Sequence, residues 1–152
     1  MSQPAATRHV SARACAGSAK LFNYGTIIAV SVAGVPLFLV TGEVGVATII
    51  AAIMGIVPLV LWFGGSMLVY ALNRHHPDER VGYYTQQAAY RYYAFMGALI
   101  VIGTFFPPEI FYFRIYWLVA ALIIIPWSIR DIIRINREHW QDVEIPKEPD
   151  HG

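Results

Sequence analysis

The feature that most constrains this chain is a series of long stretches with almost no charged side chain. Leu21–Thr41, Val44–Leu72 and Tyr92–Phe106 carry none, and Phe111–Ile129 carries only Arg114. A helix needs about 20 apolar residues to cross roughly 30 Å of hydrocarbon. In lipid, a backbone without internal hydrogen bonds loses several kcal/mol per unsatisfied group, so such runs become helices. The chain has 152 residues, 57% of them hydrophobic and 14% charged. A soluble domain carries about 25% charged residues. The sequence therefore predicts an all-α integral membrane protein with four transmembrane helices in an antiparallel bundle. The spans are expected at about 21–41, 44–72, 84–106 and 111–129.

The third apolar run is short. Its helix is expected to begin near Tyr84, with Arg91 extending to one interface while Arg114 extends to the other. Thr41-Gly42-Glu43 and Pro107-Pro108-Glu109 are short links, which force neighbouring helices to run antiparallel. Pro36, Pro58 and Pro126 fall inside spans, where a bundle can re-satisfy the carbonyls they free.

The basic residues set an orientation. Arg8, Arg13, Lys20, Arg74, Arg80, Arg91, Arg130, Arg134, Arg137 and Lys147 fall on one side of a four-span bundle, and Arg114 stands alone on the other. Lys and Arg accumulate in cytoplasmic loops, so both termini are expected in the cytoplasm. The net charge of +1 gives no grip on a nucleic-acid backbone. The expected partners are the lipid bilayer and other membrane-protein subunits. Residues 1–20 are rich in Ala and Ser and lack acids, and are expected to form a disordered cytoplasmic arm, not a cleaved signal. Residues 143–152, with Pro146 and Pro149, are expected to be a flexible tail. The single cysteine, Cys15, permits neither an internal disulfide nor a cysteine metal cage. It is either a free thiol or an acylated residue near the membrane.

Membrane helices associate through close packing, often along small residues four apart. Gly25, Ala29 and Ala33 form such a stripe on the first span, and Ala47, Ala51 and Gly55 form another on the second. Aromatic residues gather near span ends. Tyr83, Tyr84, Tyr90, Tyr92 and Tyr93 lie on the inner side, and Phe111, Tyr112, Phe113, Tyr116 and Trp117 on the outer, as interfacial belts do.

Catalytic and transport sites in membranes centre on ionisable residues deep in the spans. No Asp, Glu, Lys, Arg or His falls near the expected middle of any span. The usual His ligands of a buried haem are missing from the spans too, and no cofactor is implied. The densest group of metal-ligand types is His75, His76, Asp78 and Glu79, in the middle loop, where Pro77 ends the second helix. Adjacent residues converge on one ion only with turns, so a solvated loop competes with a metal site there. After the fourth span, residues 130–142 read as a basic amphipathic helix or as an extension of that span. Arg130, Ile133, Arg134, Arg137 and Trp140 are the candidate surface for lipid head groups or a partner.

From Gly55 onward, the order of features resembles a family of small bacterial membrane proteins related to the Tic-type import component of the chloroplast inner envelope. The similar points are Pro58-Leu59-Val60-Leu61-Trp62, a charged loop, Tyr84-Thr85-Gln86-Gln87-Ala88, a basic helix end and Ile145-Pro146. The resemblance implies a helical bundle in a bacterial cytoplasmic (inner) membrane. The expected function is that of a non-catalytic scaffold or accessory subunit of a larger membrane complex. A channel or protein-translocation component and an interfacial lipid-acting or metal-binding enzyme are the alternatives.

Overall fold

The structure, a computed structural model, describes residues 7–40, 45–106 and 109–146. A short strand β1 (Thr7–Val10) leads into α1 (Ala12–Leu39). Then come α2 (Val46–Arg74), α3 (Glu79–Phe105), α4 (Ile110–Arg137) and a closing strand β2 (Val143–Pro146). Each of the four helices is long and apolar enough to cross a membrane. The links 41–44 and 107–108 lie outside the described residues, as do 1–6 and 147–152.

The helices are longer than the apolar runs. α1 starts at Ala12, because Ser11 caps it by accepting a hydrogen bond from the Ala14 N–H at 3.3 Å. The expected disordered arm is therefore helical from Ala12 and extended from Thr7, and the expected flexible tail is a strand from Val143. β1 and β2 pair antiparallel, with Arg8 opposite Ile145 and Val10 opposite Val143. Asp142 ties this clasp to α1 by accepting from the Ala12 N–H at 2.7 Å. The clasp joins the segment before α1 to the segment after α4 at one end of the bundle, the clasp end.

α1 is the central helix and packs against the other three, most extensively against α2 and α4, whereas α3 and α4 touch sparsely. The main core gathers Phe22, Val30, Leu59, Tyr92, Phe95 and Ile124. A second cluster under the clasp holds Cys15, Ala19, Val81, Tyr84 and Ile135, with Trp140 packed on it. Cys15 is fully buried there, so an acyl chain has no access to it.

The small-residue stripes place only in part as the sequence suggests. Ala29, Ala33, Ala51 and Gly55 are buried, and a Cβ on Gly55 would sit 3.1 Å from the Ala33 carbonyl oxygen. Ala47, near the start of α2, is exposed. Gly25 faces the Trp62 ring instead of the α2 backbone, and Gly34 gives the same room to Trp117. The aromatic residues are not all belts either. Tyr92 is fully buried and donates to the Leu59 carbonyl at 2.6 Å, Tyr116 donates to the Phe95 carbonyl at 2.6 Å, and Trp117 donates to the Val30 carbonyl at 2.9 Å. A buried ring with one polar atom is stable when that atom finds a carbonyl.

Candidate functional site

Polar side chains concentrate at the clasp end, where α3 begins. Asp78 caps α3 by accepting from the Arg80 N–H at 3.0 Å. The Arg80 guanidinium also pairs with the same carboxylate, with Nη2 2.7 Å from Oδ2. This hydrogen bond holds the Asp78 carboxyl below its ordinary range. Arg80 further donates to the His139 carbonyl at 3.0 Å and lies over the Trp140 ring at 4.4 Å. The Trp140 indole N–H turns back onto the Ile135 carbonyl at 2.8 Å.

These bonds engage part of the group that the sequence singled out as metal-ligand types. The Asp78 carboxylate is held by Arg80, and the His76 Nδ1 accepts from the Asp78 N–H at 3.1 Å. His75 and Glu79 are exposed. Among the described residues, no three His, Cys, Asp or Glu side chains are placed to share an ion. His75 is the C-cap of α2, His76 accepts from the Asp78 backbone, and Asp78 and Glu79 begin α3.

About three helical turns further along α3 lies an ion pair that the sequence reading did not find. Arg91 of α3 pairs with Asp131 of α4, and their side chains are only 16% and 12% exposed. Arg91 also reaches Asn23 Oδ1 of α1 at 3.5 Å and lies 5.2 Å over the Trp127 ring. Asn23 is fully buried, and its Nδ2 has no hydrogen-bond acceptor among the described residues. Arg91 was expected to extend outward to an interface. It turns inward, because Asp131 offers a charge partner that makes burial tolerable. The signal lay in sequence registers that only tertiary structure relates: Arg91 and Asp131 sit 40 residues apart.

Other polar groups are similarly committed to holding helices together. Asn73 donates to the Ser18 carbonyl and to Thr85 Oγ1, both at 3.0 Å, which ties α2 to α1 and α3. Thr26 accepts from the Trp62 indole at 3.1 Å, and Ser66 donates to the Tyr93 hydroxyl at 3.3 Å. At the far end of the bundle, Arg114 was expected to reach an interface. Its guanidinium donates to the Leu37 carbonyl at 2.7 Å and also to the Val40 carbonyl. Those carbonyls belong to the end of α1, where a helix has no internal donors left.

The expected surface after the fourth span is reshaped. α4 runs through Pro126 without a break to Arg137. Arg130, Ile133, Arg134 and Arg137 are exposed, and Lys20 of α1 reaches over to Asn136 at 2.9 Å. Trp140 leaves that surface and covers the cluster of Cys15, Val81 and Tyr84, so it is an anchor for its own chain. Tyr84 donates to Glu138, which also lies 3.8 Å from Arg134. Comparison with known proteins found no matching family model, no matching curated protein and no matching solved structure.

Proposed function

We propose that this chain is an integral membrane protein, with four spans and both ends cytoplasmic, and that it acts as a non-catalytic scaffold or accessory subunit of a larger membrane complex. The observation that carries the reading is the outer face of α2. Ile49, Ile53, Ile56, Val60, Leu61 and Leu68 are all exposed along it, and few residues of α2 are buried in the bundle. In water such a face would drive aggregation. In a bilayer it is covered by lipid tails or by another helical subunit.

The charge distribution supports the orientation. Among the described residues, every Lys and Arg except Arg114 belongs to the clasp end or to the segments that lead to it. The buried charges serve as interhelical bonds, which favours a structural role. Co-purification in mild detergent tests the subunit reading. A stoichiometric partner should be retained by the native chain and lost from Ile53→Trp with Val60→Trp, while thermal stability of the bundle stays unchanged. A chain that remains alone at every detergent strength, with native activity of the host membrane unaffected by its loss, contradicts the subunit role.

A further inference from the structure

The sparse contact between α3 and α4 leaves an open seam that is polar at one end and apolar along the rest. Three cavities of about 140, 300 and 250 Å³ follow one another along it. Arg91 and Trp127 line both the first and the second, and Tyr116 and Val119 line both the second and the third. They form one groove.

The clasp-end cavity is lined by Arg91, Arg130, Arg134 and Asp131, with Tyr83 and Gln87 among its polar rim. Asp131 neutralises Arg91. Glu138 sits beside Arg134, at 3.8 Å. Arg130 makes no hydrogen bond or ion pair among the described residues, so the cavity keeps an excess positive charge. Beyond Trp127 the lining becomes apolar: Phe95, Ile123 and Ile124, then Ile102, Phe106 and Ile115. From Arg91 to Phe106 the groove follows α3 for about 22 Å at 1.5 Å per residue. That exceeds the roughly 15 Å of one leaflet, half of the hydrocarbon core.

We infer that this groove binds an anionic glycerophospholipid, its phosphate among Arg130, Arg134 and Arg91 and one acyl chain along the α3–α4 seam. The inference rests on the reading that the helices cross a bilayer. The order of chemistry along the groove is that of the lipid. A basic recess meets the phosphate, an aromatic residue stands at the boundary, and an apolar channel follows. A single excess positive charge complements a phosphodiester, whereas a choline or ethanolamine group would bring its own cation into the same recess. A loosely packed seam in a bundle would otherwise leave apolar walls without neighbours, and an acyl chain supplies them.

The test uses the full chain purified in mild detergent, with binding read by native mass spectrometry and by the rise in melting temperature. Phosphatidylglycerol should bind at one per chain, roughly tenfold more tightly than phosphatidylcholine with the same acyl chains, and added salt should narrow that gap. Arg130→Gln with Arg134→Gln should remove most of the preference, by about tenfold. Arg137→Gln, which removes one charge from the same helix outside the groove, should leave it intact. Ile123→Trp should weaken both lipids by blocking the seam.

Equal binding of the two lipids by the native chain would overturn the inference. So would an equal loss from Arg137→Gln, which would mean diffuse surface charge, and so would inorganic phosphate alone producing the same rise in melting temperature. Extraction of the chain from its native membrane by alkaline carbonate would remove the bilayer reading itself. Retention in the membrane without lipid preference would remove only the groove.

Discussion

The Arg91–Asp131 pair offers a quantitative test of how this bundle is held. Asp131→Asn keeps the size of the side chain and removes its charge, leaving the Arg91 guanidinium with Asn23 Oδ1 at 3.5 Å and the face of Trp127. Removing one partner of a buried pair typically costs 3–5 kcal/mol, because the remaining charge is stranded. The two side chains retain some exposure, 16% and 12%, which places the expected loss near the lower end, about 3 kcal/mol. Removing both charges, with Arg91→Met and Asp131→Leu, should recover most of that loss and leave the protein within about 1 kcal/mol of native. Reversible unfolding in mixed micelles of mild detergent and dodecyl sulfate measures all variants on one scale. The coupling between the two sites should be about 2 kcal/mol or more. A loss under about 0.5 kcal/mol for Asp131→Asn would mean that water screens the pair. A double variant as unstable as the sum of its singles would mean that packing, not charge, links α3 to α4.

The remaining predictions probe other joints. Gly34→Ala should destabilise by about 1–3 kcal/mol, since a Cβ there would occupy the space of the Trp117 ring, whereas Gly97→Ala, with nothing within 4 Å, should be neutral or stabilising in the same unfolding assay. The depressed Asp78 carboxyl binds protons more weakly folded than unfolded, so its contribution is present above the ordinary carboxylate range, near about 4, and is lost as pH falls through its lower folded value. Asp78→Asn should therefore flatten the pH dependence of melting temperature in that acid window, which a melting series from neutral to acid pH would show. Trp140→Ala should loosen the clasp and expose Cys15 to maleimide reagents, because Trp140 packs on the cluster that buries that thiol. An unreactive Cys15 in that variant would separate the clasp from Trp140.

The four helices were legible because charge-free runs have few alternatives, and the runs from Leu21, Val44 and Phe111 needed no tertiary information. Helix ends were less legible. α1 reaches back to Ala12 because Ser11 caps it, a signal hidden in a segment whose Ala and Ser content looked like an arm. The strand pair escaped notice because each strand has only four residues and they meet from opposite ends of the chain. The partners of two arginines were hidden for a related reason. Arg91 and Arg114 each look like snorkelling residues when only their own helix is considered, and their actual partners, Asp131 and the last carbonyls of α1, come from other helices. The groove between α3 and α4 is likewise a property of pairing, since the apolar residues that line it could equally have faced a neighbour.

Cysteine accessibility in sealed, correctly oriented cells tests the central claim most directly. In a Cys15→Ser background, Glu109→Cys lies between α3 and α4 at the far end and His75→Cys between α2 and α3 at the clasp end, and both positions are exposed. The account predicts that a membrane-impermeant maleimide labels Glu109→Cys from outside and reaches His75→Cys only after the cells are opened. Labelling of His75→Cys in intact cells, or of both positions alike, would contradict four spans with the basic end in the cytoplasm.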